Sequence, residues 1–418
     1  MSTTSWRVFF LALVVALNFA FPTAFAKSND VPMLVVAAKE SPLDVVIDLP
    51  KNFEPGSSSH WQLVEQGDSD LAVPVDVIAA VKPDGTTDAK RLRLIASIPP
   101  REGAKGPRRF ALKPLDENTS SKSMFQLAEN SPTSIQLLEG DRPVFVYNYG
   151  QITNETVPKK DRRRTRGCYV HPIYGLDGEV LTDDFPRDHY HHHGLFWSWP
   201  HVQIGEKKYD LWTGRGIRQK FVRWLDRTTG EQGATIGVEN GWYVGKRKVM
   251  TERVWLTAHK ATDSAQAIDV ALTFIPVDRP VTLWGAERKS YGGATIRFDV
   301  PKKKKGLITV PTGESKRDLA MKRLAWADLS YPFGGKDAKP SGATLMVSKT
   351  HPDYPPTWLT RHYGPLCIGY PGVVQKTFEP DKPLTLRYRL WIHKGQPKID
   401  LLKKTYDAYT SGEDSRWE

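Results

Sequence analysis

Along most of the chain, apolar residues recur at every second position, the signature of strands that bury one face. Residues 43–49, 72–78 and 91–96 alternate in this way, with turn signals at Pro55-Gly56, Pro83-Asp84-Gly85 and Pro99-Pro100 between them. They predict a small β-sandwich over residues 27–132 in which nothing looks chemical. It ends in a polar, Ser- and Asn-rich stretch, 116–132, that reads as a linker or an extension of the sandwich. From residue 133 to 418 aromatic residues become denser. Strands are predicted at 144–149, 168–174, 195–199, 217–225, 234–243, 248–258, 267–276, 281–286, 295–298, 344–348 and 384–392. So many short strand runs between turn residues predict a mainly β fold, a large antiparallel sandwich or barrel. Only residues 399–409 carry a helical period.

Charge and cysteine content refine this picture. Residues 1–26 read as an export signal: Arg7, an apolar run from Val8 to Phe21, and the small-x-small site Ala24-Phe25-Ala26. The mature chain is then expected to start at Lys27 and to be periplasmic or secreted, without a membrane-spanning segment. The formal net charge is +12 over 418 residues. The basic residues are dispersed, and the two dense runs, 159–164 and 302–305, read as solvated loops, so no nucleic-acid partner is expected. Cys168 and Cys367 could bridge in an exported protein or stand as two buried thiols.

The stretch 183–197 is the chemical centre of the sequence. His189, His191, His192 and His193 fall within five residues, after Asp183, Asp184 and Asp188 and before Phe196 and Trp197. In a regular strand His189, His191 and His193 would share one face and could ligate Zn²⁺ or Cu²⁺. Distant ligands would then come from His171, His201, His351 or His362. The imidazoles could instead line a polar substrate pocket, with Asp188 or Asp184 orienting one of them, or form a purely structural cluster.

Three other stretches are of interest. Residues 351–365 hold four prolines and read as a long loop presenting Trp358, Arg361, His362 and Tyr363, a mixture of stacking and hydrogen-bonding groups that suits a sugar ring. In residues 322–328, alternation puts Lys322, Leu324 and Trp326 on one face. Glu287 is a candidate acid or base in a charged loop.

These segments together resemble a known family. Asp188-His189-x-His191-His192-x-Gly194-Leu195-Phe196 is similar to the DHPHHxGL motif of the PmoA-like family of exported bacterial proteins. Lys322-Arg323-x-x-Trp326-x-Asp328 is similar to its later K-R-x-x-W-x-D segment. His351-Pro352 through Trp358, Arg361, Tyr363 and Gly364 is similar to its HP…P-T-x-W-x-x-R-x-Y-G segment. Tyr190 stands where that motif has proline, and His193 where a basic residue is common. The resemblance spans roughly residues 134–394. It implies a galactose-mutarotase-like β-supersandwich and a carbohydrate ligand that would be hydrolysed, cleaved or epimerised, without a cofactor.

The resemblance makes His189, His191, His192 and Asp188 the catalytic candidates. Arg361, Trp358, Tyr363, His351, Arg323, Trp326 and Asp328 become the substrate-binding candidates. His189, His191 and His192 cannot share one face of a regular strand, so the segment is expected to bend. A Zn- or Cu-dependent oxygenase or hydrolase, and a non-catalytic sugar-binding protein, are the alternative readings.

Overall fold

The computed structural model describes residues 31–418 apart from 56–57, 59, 68–70, 104–105, 116–122, 302 and 336. The predicted export signal lies outside the described residues. The fold is mainly β, with antiparallel sheets and, among the described residues, the single α-helix Ile399–Gly412. None of these elements is a helix long and apolar enough to cross a membrane.

Two nine-stranded sheets form a large sandwich. One, here the back sheet, runs through the long strands Arg218–Thr229, Gly233–Val244, Arg247–His259, Ala265–Pro276 and Leu384–Lys394. The other, the site sheet, includes Arg142–Asn148, Tyr169–Ile173, Leu195–Ser198, Gly293–Arg297, Thr357–Thr360 and Pro365–Gly369. Their facing side chains make one continuous core that holds Val170, Leu195, Trp197, Ile296, Trp358, Leu366 and Ile368 from the site sheet and Ile236, Val254, Leu272 and Leu390 from the back sheet.

Alternation sends the remaining site-sheet side chains outward. There Tyr169, Phe196, Leu359 and Cys367 form a second, smaller apolar cluster with Trp212. The site is built on this outer face. Cys168 and Cys367 are both buried and free, so no disulfide joins them.

The N-terminal strands form their own seven-stranded sheet, which also takes in Arg416–Trp417. Its core of Leu34, Val45, Leu63, Leu94, Phe110 and others packs with Ala408 of the helix. Charged residues tie this sheet to the outer face of the back sheet. Arg389 donates through Nε and Nη2 to the two oxygens of Asp269 at 2.6 and 2.9 Å, and through Nη1 to Asp44 of the N-terminal sheet at 2.9 Å. His259 Nε2 lies 2.7 Å from Asp269. Burial alone would raise the Asp269 carboxyl, but Arg389 and His259 hold it far below the carboxylate range. Arg389 is 4 % exposed, so these charges are desolvated and must be paired.

Several segments differ from the sequence reading. Residues 125–131, taken as part of a linker, form the edge strand Phe125–Ser131 of the site sheet. Only Phe125 on it is fully buried, so its exposed positions are free to be polar. The proline-rich stretch 351–365 is not all loop. Thr357–Thr360 pairs on both sides, and its prolines sit before the strand or open the next one. Residues 322–328 are not one strand either. The chain leaves the site sheet after Leu319–Arg323 and enters the back sheet at Trp326–Tyr331.

Replacing Arg389 by Met would strand Asp269 and Asp44 without their cation. The expected cost is about 3–5 kcal/mol of unfolding free energy, read as a lower denaturation midpoint at pH 7. An unchanged midpoint would show that the N-terminal sheet is held by its apolar contacts alone.

Candidate functional site

The segment between Tyr169–Ile173 and Leu195–Ser198 folds as a hairpin over the outer face of the site sheet. Its stem is an isolated bridge between Asp184 and His193. Phe185 N donates to His192 O at 3.1 Å, and Gly194 N donates to Asp183 O at 2.9 Å. Two turns follow at the tip, closed by His189 N to Pro186 O and His192 N to His189 O. Phe185 has φ 51°, a left-handed conformation that breaks the strand alternation. Gly194 is required by space: a Cβ there would stand 2.0 Å from the Val170 carbonyl oxygen.

The bend separates His193 from the others, so no flat row of His189, His191 and His193 forms. His193 turns down onto the sheet between Tyr169, Phe185 and Phe196. Its Nδ1 lies 2.6 Å from Asp184 Oδ1, and Tyr169 OH donates to Asp184 Oδ2 at 2.7 Å. Burial pushes the Asp184 carboxyl up to about 6 and the His193 imidazole well down. With Asp184 ionised, Nδ1 carries the proton and Nε2 keeps a lone pair.

His189, His191 and His192 pack around one another. His189 stacks on His192 at 4.6 Å between centroids, and His191 stands edge-on to both. The Nδ1 atoms of His191 and His192 are buried without a hydrogen-bond partner, and His189 Nδ1 lies 3.0 Å from Asp188 Oδ2, which leaves Nε2 as the available polar atom of each ring. Burial holds His191 down to about 3 and His192 well below the ordinary range, so both are neutral at pH 7.

Trp212 lies against His191 and His192 from one side. Tyr363 stacks on His189 from the other, with the Arg297 guanidinium 4.9 Å above its ring. Arg297 Nη2 reaches Asp188 at 3.3 Å and Asp183 at 3.8 Å. Burial raises Asp188, but Arg297 and His189 bring it below the usual carboxylate range, whereas burial lifts Asp183 to about 6.

Beside His191 and His193 a crevice of about 20 Å³ opens, also lined by Arg163, Arg166, Trp212 and Gln219. That is room for about one water molecule. Beneath it Arg166 donates to Gln219 at 2.6 Å, and Gln219 donates to Glu252 at 2.8 Å. Trp242 and Asn240 also donate to Glu252, so this fully buried carboxyl is satisfied on both oxygens.

The site thus gathers His189, His191, His192, Asp188 and Tyr363. Arg361 lies two residues before Tyr363 in the chain, but its Nη1 donates to the Leu319 and Thr360 carbonyls, which fixes the turn. Trp358 is fully buried in the sandwich core, with Nε1 donating to Leu324 O, so it offers no stacking face. His351 packs against Tyr370 and Tyr388. Arg323 holds the adjacent loop through Asp353 and the Pro355 carbonyl. Trp326 packs with Leu402 and Tyr409 of the helix. Asp328 accepts hydrogen bonds from Ser330 and Thr344 and lies 2.9 Å from His393 Nε2. Trp326, Asp328 and Arg323 are therefore structural.

Sequence reasoning did not assign Arg297, Trp212 or Asp183 to the site, and it gave His193 only as one member of a three-histidine metal face. The alternation of Thr295 and Arg297 against Ile296 could have pointed to Arg297 on the outer face. Among the described residues no three His, Cys, Asp or Glu side chains are arranged to hold a metal ion. Of the distant ligands expected for Zn²⁺ or Cu²⁺, His362 is engaged by Asp318 and Ser315 O, and His201 stacks on Trp284.

His192 gives a signed pH test. It stays neutral in the fold, while the unfolded chain takes up a proton near pH 6.5, so acid favours the unfolded state. Between pH 7.5 and 5.5 the acid-induced loss of stability should be about 1.4 kcal/mol smaller in His192→Gln than in the wild type. Equal losses in urea titrations at both pH values would contradict the buried neutral ring.

Among solved structures, the chain is similar to one described as "Putative kojibiose phosphorylase from human microbiome", with a TM-score of 0.31 and 9% identity over 70% of this chain and 35% of that one. The chain therefore spans about a third of that structure's length. No curated protein matches. The model of a family of unknown function, DUF6807, matches residues 134–407, from the site sheet through the histidine hairpin to the helix, and the chain belongs to that family.

Proposed function

We propose that the chain is a carbohydrate-active enzyme working by acid/base catalysis, with hydrolysis the reaction its pocket favours. The observation that carries this reading is the Tyr169–Asp184–His193 chain of hydrogen bonds, which ends beside space for one water. Asp184 holds the His193 tautomer, and Nε2 takes a proton from that water as it attacks the anomeric carbon. Asp183, lifted to about 6 and on the Arg297 side of the cluster, gives its proton to the departing glycosidic oxygen as the C–O bond breaks. The accessible Nε2 atoms of His189, His191 and His192 bind sugar hydroxyls. Trp212 and Tyr363 supply the aromatic walls on which the C–H face of a sugar ring packs. The motif resemblance to the PmoA-like family supports a carbohydrate substrate, and the leader-like residues 1–26 support export.

The test is turnover on a panel of neutral glycosides, uronides and keto-glycosides. His193→Ala and Asp184→Asn should each lower kcat by about 100-fold or more with little change in KM. Variants that melt like the wild type yet keep its kcat would refute the roles given to these residues. A wild type that turns over nothing in the panel would refute the enzyme reading and leave sugar binding, checked by calorimetry with the same compounds.

A further inference from the structure

A second pocket lies on the other side of the molecule, across the sandwich core from the hairpin. The N-terminal sheet covers the outer face of the back sheet incompletely and leaves a cleft of about 320 Å³. That is the lower end of the size range of small-molecule sites, about 300–1,000 Å³. The cleft exists because Ala271 is small. In the back sheet Ala271 is the direct neighbour of Trp255 on one side and Arg387 on the other. A methyl between an indole and a guanidinium leaves a hollow that the N-terminal sheet does not fill.

The charges around this hollow are unequal in their pairing. Arg389 is clamped by Asp269 and Asp44, Arg93 donates to Asp48, and Arg253 reaches Glu239 and Asp84. Arg387 projects from the same face as Arg389, two residues away, and has no ion pair with any described residue. Arg387 remains exposed to solvent; burial and the like charge of Arg93 disfavour its charged form, whereas Tyr409, Glu413 and Asp269 favour it. An exposed guanidinium that lines a hollow and has no salt-bridge partner is open to an anion. The rest of the lining is not that of a simple phosphate site. The Thr235 and Thr257 hydroxyls, the Glu413 carboxyl and the Trp255 indole offer hydrogen bonds and a flat apolar wall.

We propose that this cleft is a binding site for a monosaccharide-sized hydroxy acid, a hexuronate, with Arg387 holding the carboxylate. Glu413 and the two threonines take the hydroxyls, and Trp255 packs against the ring. The site stands independently of the hairpin and of the chemistry assigned there. Its ligand sits against both the N-terminal sheet and the back sheet, so binding also stabilises their contact.

The experiment is calorimetric titration of the full chain with D-glucuronate and D-galacturonate, and with glucose and galactose as neutral counterparts. The expected result is saturable binding of at least one uronate to the wild type and to His193→Ala alike. Affinity should fall about tenfold or more in Arg387→Gln and in Ala271→Phe, which fills the hollow. Absence of saturable uronate binding overturns the proposal. So does an Arg387→Gln variant that binds as tightly as the wild type, or neutral sugars that bind as well as the acids. Loss of binding in His193→Ala with retention in Arg387→Gln would assign the uronate to the hairpin pocket and refute the cleft.

Discussion

The hydrogen bonds that Asp184 accepts from Tyr169 and His193 set the shape of everything around the hairpin. A segment this polar can lie on an apolar sheet face only if its buried polar atoms find partners. Asp184 satisfies two such groups at once and fastens the stem to a strand of the site sheet. His193 is then held edge-on against Phe185 and Phe196, and the tip must carry the other three imidazoles outward. Their buried Nδ1 atoms and accessible Nε2 atoms follow from that anchoring, as does the neutral state of His191 and His192. The acid/base role proposed for the site therefore rests on a structural device, a buried carboxylate shared between a phenol and an imidazole.

The two outer faces of the sandwich solve the same burial problem differently. The site sheet covers its outer aromatic residues with a short hairpin and single side chains, Trp212 and Tyr363, which leaves polar atoms open. The back sheet presents charged residues and covers them with a whole second sheet. There each desolvated charge needs an opposite one, and the Arg389–Asp269–Asp44 arrangement supplies it. Arg387 stands outside that rule because it remains exposed to solvent.

Much of this architecture was legible in the chain. Alternation located most of the long strands because each has one face in the common core, and the motif around Asp188 singled out the histidines that cluster. What alternation could not reveal is which of two covered faces a residue joins. Trp358 and Trp326 look alike as aromatic strand positions, yet one fills the sandwich core and the other packs under the helix. Asp328 reads as a polar site residue, but Ser330, Thr344 and His393 take its carboxylate, so it serves the back sheet. Arg297 went unnoticed because one arginine in an apolar strand looks like an ordinary solvent-side position. Asp184 was readable as a partner that orients an imidazole, but that His193 is the one it meets was not, since the bend at Phe185 breaks the strand alternation.

The placement of Arg416–Trp417 carries a consequence for folding. This strand pairs with Met33–Val36, and Trp417 Nε1 donates to Asp48 O. The edge of the N-terminal sheet is thus closed by a segment that lies far later in the chain. Contacts of such long sequence separation make folding slow, and until they form that edge is open to wrong pairing.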